Sequence, residues 1–310
     1  MEICMPRYYV ILNPIAGKGN GSRVHGHLED NLKSLGLDYE LVLTERPEHA
    51  TELARTASLN GFDMIVAVGG DGTVNEVING ILSIPTSQKA RPVLAVLPIG
   101  RGNDFAFSMG IPINLDESCT LLANDPQKKI DIGRVVSERY PQGLYFGNGV
   151  GMGFDAVVGF VAAKMKISGM LSYLIAAVKT MFIYFKAPLV ELNLDGQSST
   201  FSALMISIMN GRRMGGSFMM TPNSKPDDGV FDLCIVHEVP RSALPGLMGL
   251  VMKGTQASHK AVTTAQASEI TLRAVKGSLP AHADGVTLCE EGQEISVEIL
   301  PSELTIITRK

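Results

Sequence analysis

Residues 62–76 constrain the fold of this 310-residue chain more than any other segment. Residues 62–68 are mostly apolar and β-branched, which predicts a buried strand. After Thr73, valine, isoleucine and leucine recur at helical spacing, which predicts a helix. The turn between them reads Gly69-Gly70-Asp71-Gly72-Thr73. A strand, a glycine-rich turn and a helix in this order favour an α/β unit that binds a polyphosphate.

The aspartate in this turn narrows the choice of ligand. Three glycines let backbone N–H groups converge, and the helix N-terminus adds a partial positive charge, so the turn suits an anion. A carboxylate at Asp71 would repel a phosphate unless a cation lies between them. The turn therefore predicts a nucleotide bound with Mg²⁺. The alternative is a tight turn in which Asp71 caps the helix.

The composition fits a globular protein with room for two domains, each with its own core. Hydrophobic residues make up 45% and charged residues 19%. The net charge is −4 without a basic block, which argues against a nucleic-acid partner. Residues 1–7 are too short and mixed for a signal peptide. A reducing cytoplasm is favoured because the cysteines lack the paired spacing of a zinc site or a disulfide framework; they are Cys4, Cys119, Cys234 and Cys289.

The first part of the chain alternates predicted strands and helices, which indicates a parallel sheet covered on both faces. In such sheets ligands bind beyond the carboxyl ends of the strands. Asn13, Thr44, residues 69–73 and residues 98–104 follow strand ends, so we expect them to meet in one crevice. The predicted strands are residues 8–12, 39–43, 62–68 and 93–97, and the predicted helices before residue 62 are residues 22–35 and about 47–59.

From about residue 131 the pattern changes to short β-like runs separated by turn signals such as Asp195-Gly196 and Asp228-Gly229. This pattern predicts a second, β-rich domain with helices around residues 152–186 and 240–254. Its predicted strands are residues 144–147, 189–194, 201–209, 230–236, 269–274 and 295–299.

The most apolar stretch is residues 167–185. Lys179 interrupts it, and further lysines flank it on both sides. A membrane-spanning helix needs roughly 20 residues with few or no charges, so this stretch is marginal as a span. Lysines around an apolar helical face allow a helix to lie on an anionic bilayer surface. A core or domain-interface helix is the equal alternative.

A second glycine-rich loop follows the predicted strand at residues 93–97. It contains Gly100, Arg101, Gly102 and Asn103, and it ends at Asp104, which is expected to cap the next helix. At the same sheet edge as the first loop, it predicts the other wall of a nucleotide site. Arg101 either adds positive charge against phosphates or is solvated.

Three further carboxylates each allow a structural and a functional interpretation. Asp131 is a turn residue, an ion-pair partner or part of a site. Asp228 is a turn former, or it supplies Mg²⁺ with a carboxylate beside turn carbonyls. Asp284 is either a hairpin residue or a general base that faces the nucleotide crevice. His282, close to it in sequence, is expected at the surface.

Taken in order, these motifs resemble those of the diacylglycerol kinase catalytic-domain family, which includes bacterial lipid kinases and to which sphingosine and ceramide kinases are related. The resemblance spans nearly the whole chain. Its motifs are Asn13-Pro14 with the following loop, residues 69–76, residues 98–105, Asp131-Ile132-Gly133, Phe154-Asp155, Asp227-Asp228-Gly229 and Asp284-Gly285.

The resemblance implies an α/β plus β fold with two domains. An NAD-kinase-like nucleotide domain would cover residues 1–133, completed by about 295–310, and a β-sandwich-like lipid domain would cover residues 134–294. It implies Mg²⁺-dependent transfer of the γ-phosphoryl group of ATP to diacylglycerol or a related lipid alcohol. The protein would be cytoplasmic and peripheral at the inner face of the membrane, and a homodimer is left open.

The resemblance also assigns roles by motif position. Asp284 would be the catalytic base. Magnesium would be held by Asp228 and the carbonyls of Lys225 and Val230, within a network of Asp71, Asp104 and Asp131. ATP would be bound by Asn13, Pro14, Thr44, Gly69, Gly70, Asp71, Gly72, Thr73, Asn75, Gly100, Arg101, Gly102 and Asn103.

Two departures from the family pattern concern activity. Arg101 replaces the usual threonine, and Val286 replaces the usual glutamate after Asp284-Gly285. A non-catalytic or weakly active member that binds nucleotide and lipid is therefore one alternative. A soluble-substrate kinase of the NAD kinase type is another. In that family the Asn-Glu pair usually lies well downstream of the glycine-rich turn, whereas Asn75-Glu76 follows at once.

Overall fold

The computed structural model describes residues 6–309 except 86, 88, 89, 125, 164–174, 177 and 181–185. The described chain forms two compact units. The first contains residues up to 130 together with those from 302 onward, and the second contains residues 131–301. The chain thus passes between the units at 130/131 and 301/302, compared with the predicted boundaries at 133/134 and about 294/295.

The first unit alternates strands and helices, and the four strands predicted for it are confirmed within two residues. Its elements are β1 Arg7–Leu12, α1 Ala16–Ser34, β2 Asp38–Leu43, α2 His49–Asn60, β3 Met64–Gly69, α3 Asp71–Leu82, β4 Val93–Pro98, α4 Asp104–Ser108 and α5 Leu115–Asn124. A further strand, β5 Gln127–Val136, begins in this unit and ends in the second.

The strands of the first unit form a parallel sheet in the order β2-β1-β3-β4, and Ile306 near the chain's end pairs beside β4. All six residues of β3 are buried, as expected for a parallel strand covered on both faces. Leu28 and Leu32 of α1 pack with Val66 and Val68 in one core cluster. The apolar faces of the helices therefore cover the sheet and fix where its carboxyl edge lies.

The strand order creates a topological switch point in this unit. From β1 the chain runs to β2 on one side, and it then returns to β3 on the other side of β1. The carboxyl ends of β1 and β3 therefore lie side by side while their connections lead away in opposite directions. Open α/β sheets bind ligands at such points.

The second unit is built mainly of antiparallel strands. One core cluster fills it with side chains such as Phe146, Ile208 and Leu233, and another packs Phe154 and Leu247 of its helices. After β5 its elements are β6 Leu144–Phe146, β7 Gly149–Gly153, α6 Phe154–Ala163, β8 Leu189–Leu194, β9 Gln197–Met209, β10 Phe231–His237, α7 Leu244–Lys253, β11 Val262–Ala267, β12 Glu269–Lys276, β13 Leu279–Ala283, β14 Val286–Gly292 and the start of β15 Glu294–Ile307, which ends in the first unit, with short 3-10 helices at Arg241–Ala243 and Gln256–Ser258.

The helix predicted around residues 152–186 is wrong at its start. Met152 lies in β7, a buried strand between β9 and β13, and α6 begins only at Phe154. Glycine is depleted in strands, which hid β7 from sequence reasoning. Here glycine is needed, because a Cβ on Gly151 would lie 2.3 Å from the Asp155 Oδ2.

Most of the apolar stretch at residues 167–185 lies outside the described residues; 175, 176 and 178–180 are described and helical, and the rest of the helix predicted there stays a prediction. Over the remainder of the chain, the described helices include none with the length and apolar character needed to cross a bilayer.

Candidate functional site

The carboxyl end of β1 is joined to that of β3 through Asn13. The Asn13 N–H donates to the carbonyl of Val68 (3.0 Å), and its Nδ2 donates to the Thr73 Oγ1 (3.0 Å). The Asn13 Oδ1 accepts from the Ile15 N–H (3.1 Å), which fixes the amide. Asn13 therefore holds the loop after β1 against the first turn of α3.

The turn between β3 and α3 is tight at Gly69 and Gly70, where a side chain would meet neighbouring atoms. A Cβ on Gly69 would lie 2.3 Å from the Thr73 Oγ1. Gly70 occupies the N-cap position of α3, so no side chain caps the helix from there. Gly72 is exposed, and a Cβ on it would meet no atom within 4 Å. The N-terminus of α3 is consequently open on the side of Gly72, where backbone N–H groups can receive an anion.

The loop after β4 packs directly on this turn. The Ile99 N–H donates to the Gly69 carbonyl (2.9 Å), and a Cβ on Gly100 would lie only 2.4 Å from the Gly70 Cα. Asn103 adopts a left-handed conformation (φ 52°) and donates from its Nδ2 to the Gly100 carbonyl (3.3 Å). The two predicted glycine-rich loops are therefore in contact, backbone against backbone.

Asp71 and Asp104 lie on one side of Gly102. A Cβ on Gly102 would be 2.9 Å from the Asp71 Oδ2 and 3.3 Å from the Asp104 Oδ2. The Asp71 Oδ1 accepts from the Phe105 N–H (3.0 Å), so Asp71, the first residue of α3, links the two loops. Asp104 is the first residue of α4, and the N-cap position is Asn103, one residue before the expected one. Both carboxylates thus border one glycine.

The other predicted nucleotide residues of this unit lie at or behind the same edge. Thr44 follows β2, and its N–H donates to the Leu12 carbonyl (2.9 Å). Arg101 is exposed on the second loop. Asn75 is 2% exposed and its carbonyl oxygens face the Asn79 Nδ2, so its side chain lies deeper than the others.

Glu76 has a structural position that the sequence did not reveal. Its Oε2 accepts from the Ala50 N–H (3.1 Å) in the first turn of α2, and the Thr51 Oγ1 donates to its carbonyl (3.0 Å). Burial raises the pKa of the Glu76 carboxyl above its usual value, and the N–H groups of Glu48 and Ala50 oppose that rise. Glu76 thus joins α2 to α3.

Sequence reasoning also left Gly17 out of the site. A Cβ on Gly17 would lie 2.4 Å from the Ile99 carbonyl oxygen, and Gly17, Lys18 and Gly19 are all left-handed. These three residues interrupt α1 near its start, and Gly17 there reaches the loop after β4. The glycine pair around Lys18 was the only signal in the sequence, and the contact itself depends on the order of the strands.

In the second unit, Asp284 begins the hairpin turn between β13 and β14. Asp284 and Gly285 both have positive φ (46° and 84°), as a two-residue Asp-Gly turn requires. The carboxylate accepts from the N–H groups of Gly147 (2.8 Å), Asn148 (3.2 Å) and Gly149 (2.9 Å). Three consecutive donors, two just before β7 and one at its first residue, therefore fix the orientation of this carboxylate.

Asp131 and the loop at residues 225–230 form a second acidic group in this unit. Asp131 is 1% exposed; its N–H donates to the Pro226 carbonyl (2.7 Å), and its Oδ2 accepts from the Gly229 N–H (2.7 Å). Asp228 is exposed as a residue, yet partial burial of its carboxyl raises its pKa, as do the nearby carboxylates of Asp232 and Asp131. The loop therefore carries clustered negative charge.

His282 is buried, which corrects the expectation of a surface histidine. It is 7% exposed, and its Nε2 lies 3.9 Å from the Asp155 Oδ2. Gly151 makes this approach possible, since a Cβ there would lie 2.6 Å from the Nε2.

The described residues contain no group of three or more His, Cys, Asp or Glu side chains that could hold a metal ion without other ligands. Burial raises the pKa of the Cys119 and Cys234 thiols to about 11, so both stay protonated at neutral pH. Any cation at the Asp228 loop would need backbone carbonyls and water as further ligands.

Comparison with known proteins gives a consistent result along the chain. Residues 7–135 match the diacylglycerol kinase catalytic domain, and residues 148–308 match the YegS C-terminal NAD kinase beta sandwich-like domain. A diacylglycerol kinase of Bacillus subtilis is 28% identical over 284 residues, covering 91% of this chain and 90% of the relative. One of Staphylococcus epidermidis is 31% identical over 268 residues, covering 86% and 81%.

Solved structures agree on the fold. A diacylglycerol kinase from Bacillus anthracis covers all of this chain and 98% of its own, with a TM-score of 0.73 at 22% identity. An NAD kinase from Archaeoglobus fulgidus, solved with ATP, covers 98% of this chain and 94% of its own, with a TM-score of 0.53 at 17% identity. The fold is therefore the expected two-domain one, with an α/β domain and a β-sandwich-like domain.

Since the two family models match in sequence order and together cover most of its length, this chain belongs to the diacylglycerol kinase catalytic-domain family and carries that family's YegS-type C-terminal domain.

Proposed function

We propose that this protein is an ATP-dependent lipid kinase, which transfers the γ-phosphoryl group to the hydroxyl of diacylglycerol or a related lipid alcohol. The observation that carries the proposal is the switch point of the first unit. There the open N-terminus of α3 adjoins two glycine-rich loops in backbone contact, with two carboxylates beside Gly102. Phosphoryl transfer depends mainly on positioning and charge neutralisation, which this arrangement can supply.

In this proposal the first unit binds ATP. The N–H groups around Gly70 and Gly72 receive the polyphosphate, Asn13 and Thr73 keep the loops in place, and Arg101 adds positive charge at the rim. Pro14 and Thr44 complete the edge at the ends of β1 and β2. The tight packing of Gly100 on Gly70 keeps the loops rigid, so little conformational entropy is lost on binding.

Magnesium is implied by the family and fits the acidic residues of both units. Mg²⁺ is bound through one or two carboxylates with several waters, so a single side chain with carbonyls suffices. Asp228 and the carbonyls of Lys225 and Val230 would hold it, and the nearby carboxylates of Asp131 and Asp232 favour a cation there. When bound, the ion would supply charge neutralisation for the phosphates. Within the second unit, Asp131 would add negative potential beside the loop that holds it, and Asp71 and Asp104 form the acidic pair of the first unit.

Asp284 would accept the proton of the lipid hydroxyl. Its carboxylate is oriented by three N–H donors, which hold the side chain in one rotamer. General-base catalysis of this kind contributes typically about 10²–10⁴-fold. Val286, which follows the turn, cannot supply a second carboxylate.

An apolar pocket in the second unit supports a lipid acceptor. Its wall contains one carboxylate, Asp155, and is otherwise apolar, which suits an acyl chain better than a nucleotide or a sugar. The lining residues are Phe154, Asp155, Val158, Leu204, Met205, Phe218, Met220, Val236, Leu244, Leu247, Met248 and Val251.

The test is incubation of the purified protein with γ-labelled ATP and Mg²⁺, in parallel with a total lipid extract and with NAD, followed by identification of the labelled product. We expect one labelled phospholipid, and no product with Asp71→Ala. Label in NAD instead of lipid would favour a soluble-substrate kinase, and no label in either would favour a non-catalytic protein. A large gain of turnover in Val286→Glu would mean that the natural chain is weakly active.

A further inference from the structure

We propose that Asn210 is a positioning residue that holds the proposed base and the proposed magnesium loop in register with each other. The inference rests on the proposed function, whose residues Asp284 and Asp228 it connects. Asn210 belongs to none of the motifs from which the sequence predicted a site. Every contact that supports this role lies within the second unit.

The position of Asn210 follows from strand order. It comes directly after β9, whose last residue, Met209, pairs with Gly149 of β7 on one side and Asp232 of β10 on the other. Both neighbours are antiparallel to β9, so the segments that precede them lie beside Asn210. Those segments are residues 147–148, which bind Asp284, and residues 225–230, which contain Asp228.

The Asn210 side chain bonds to both sides from one nitrogen. Its Nδ2 donates to the carbonyl of Asp131 (2.8 Å) and to the carbonyl of Gly147 (2.9 Å), and the residue is 1% exposed. The backbone N–H groups of Asn210 and Gly211 both donate to the Asn148 carbonyl (2.9 and 2.8 Å). Two carbonyls facing one atom identify that atom as the NH₂ nitrogen.

Each of these carbonyls belongs to a residue or segment with a defined task. Asp131 binds the magnesium loop through two hydrogen bonds. Its N–H donates to the Pro226 carbonyl, and its Oδ2 accepts from the Gly229 N–H. Gly147 donates to the carboxylate of Asp284. Asn210 therefore sets the distance between Asp131, which binds the magnesium loop, and Gly147, which binds the proposed base.

Only an amide of this length satisfies both carbonyls. A carboxylate at position 210 would place oxygen against two carbonyl oxygens, and a serine could donate to only one of them. Outer residues that orient catalytic or metal-binding groups typically change activity or metal affinity by about 10–100-fold when they are substituted.

Gln256 provides a matched control in the same unit. It is 2% exposed, and its Nε2 also donates to two backbone carbonyls, those of Met219 (2.7 Å) and Met220 (2.6 Å). None of these contacts leads to Asp284 or to the loop at residues 225–230. Gln256→Glu therefore loses the same kind of interaction without disturbing the proposed connection.

The experiment compares Asn210→Ser, Asn210→Asp and Gln256→Glu by hydrogen exchange of the full-length protein. We expect both Asn210 variants to exchange faster at two separate segments, around residues 147–149 and 227–230, and Gln256→Glu at neither. Asn210→Ser retains one donor and should remain folded if Asn210→Asp does not. Faster exchange at only one segment, or the same pattern in Gln256→Glu, would overturn the inference.

Kinetics then separate this inference from the proposed function. We expect Asn210→Ser to lower kcat at saturating lipid by about tenfold or more and to raise the half-saturating Mg²⁺ concentration by a similar factor. Asp284→Asn should change kcat alone. A wild-type protein without lipid kinase activity would count against the proposed function, while the exchange data would still decide the role of Asn210.

Discussion

Asp284 and Asp195 occupy the same local structure, yet only Asp284 is a proposed base. Each begins a two-residue Asp-Gly hairpin with positive φ (46° and 47°). Each carboxylate accepts from backbone N–H groups, that of Asp195 from Ser268 (3.0 Å) and Glu269 (2.8 Å). Asparagine tolerates the left-handed conformation, so either aspartate can be replaced by asparagine without backbone strain.

We expect Asp284→Asn to lower kcat by about 10²–10⁴-fold, because a neutral amide cannot accept the hydroxyl proton. Asp195→Asn should leave kcat unchanged. Both variants should unfold more easily than the wild type, since the amide makes only neutral hydrogen bonds. At Asp284 the NH₂ would also face an N–H donor, because both carboxylate oxygens accept there. Labelled-ATP assays and urea unfolding measure the two effects. Equal kcat in the two variants would remove Asp284 from the chemistry.

The first turn of α3 can be tested with a pair of helical glycines. Gly72 and Gly26 both lie in helices, and a Cβ on either would meet no atom within 4 Å. Alanine should stabilise each helix by up to about 1 kcal/mol. Only Gly72 faces the proposed polyphosphate site, however, so its Cβ would occupy space that the ligand needs.

We therefore expect Gly72→Ala to weaken ATP binding by about tenfold or more while its melting temperature is unchanged or higher; one methyl-sized clash of about 1.4 kcal/mol suffices for that factor. Gly26→Ala should gain stability and bind ATP as the wild type does. Calorimetric titration with ATP and thermal unfolding report the two quantities. Unchanged ATP affinity in Gly72→Ala would place the phosphates elsewhere.

The contact between α2 and α3 predicts a pH dependence. Because burial raises the pKa of Glu76, the folded protein holds this proton more tightly than the unfolded chain, where the pKa is about 4.3. Its stability contribution is therefore fully present below about pH 4.3 and is lost as pH rises through the folded pKa. Glu52 is the opposite case, since its hydrogen bond with Arg46 lowers its pKa.

Glu76→Gln keeps an acceptor for the Ala50 N–H and cannot ionise. Relative to the wild type, we expect its free energy of unfolding to increase as pH rises from about 4 to 7. Glu52→Gln should show the reverse trend, because its lost ion pair matters only when the carboxylate is charged. Urea unfolding at several pH values gives both curves. Parallel curves for Glu76→Gln and the wild type would contradict the prediction.

At the scale of the whole molecule, the protein must contact a bilayer, because its proposed substrate is a membrane lipid. Lys164, Lys166 and Lys186 flank the apolar stretch at residues 167–185, so attraction to an anionic surface is expected and should weaken with salt. We propose a cytoplasmic protein that binds peripherally to the inner membrane face. This location is independent of whether the chain acts as a monomer or as the homodimer that the sequence left open.

Anionic vesicles containing diacylglycerol should raise turnover more than neutral vesicles with the same diacylglycerol content, and salt should reduce the difference. Lys164→Gln combined with Lys166→Gln should weaken the effect. Lys128→Gln combined with Lys129→Gln removes the same charge from exposed positions of β5 and serves as the control. Vesicle sedimentation and initial rates measure binding and turnover. Equal binding to both vesicle types would refute an electrostatic contact.

The sequence by itself determined the elements whose signals are local. A β-branched run followed by Gly69-Gly70-Asp71-Gly72-Thr73 predicted β3, its turn and α3, because strand, turn and helix preferences act over a few residues. Asp195-Gly196 and Asp284-Gly285 were recognisable as hairpin turns for the same reason. The ordered motifs also indicated the family, which the matched domains confirm.

Only the tertiary structure decided which groups meet. The sequence of β7 is typical of a loop or a helix, and its glycines are explained only by the side chains of Asp155 and Met209 that pack against them. His282 is buried because Gly151 leaves it space. Asp284 is bound by N–H groups more than 130 residues away in sequence, and Asn210 joins Asp131 to Gly147. Strand order and register create these contacts, and both depend on how distant segments pack together, which local residue patterns do not encode.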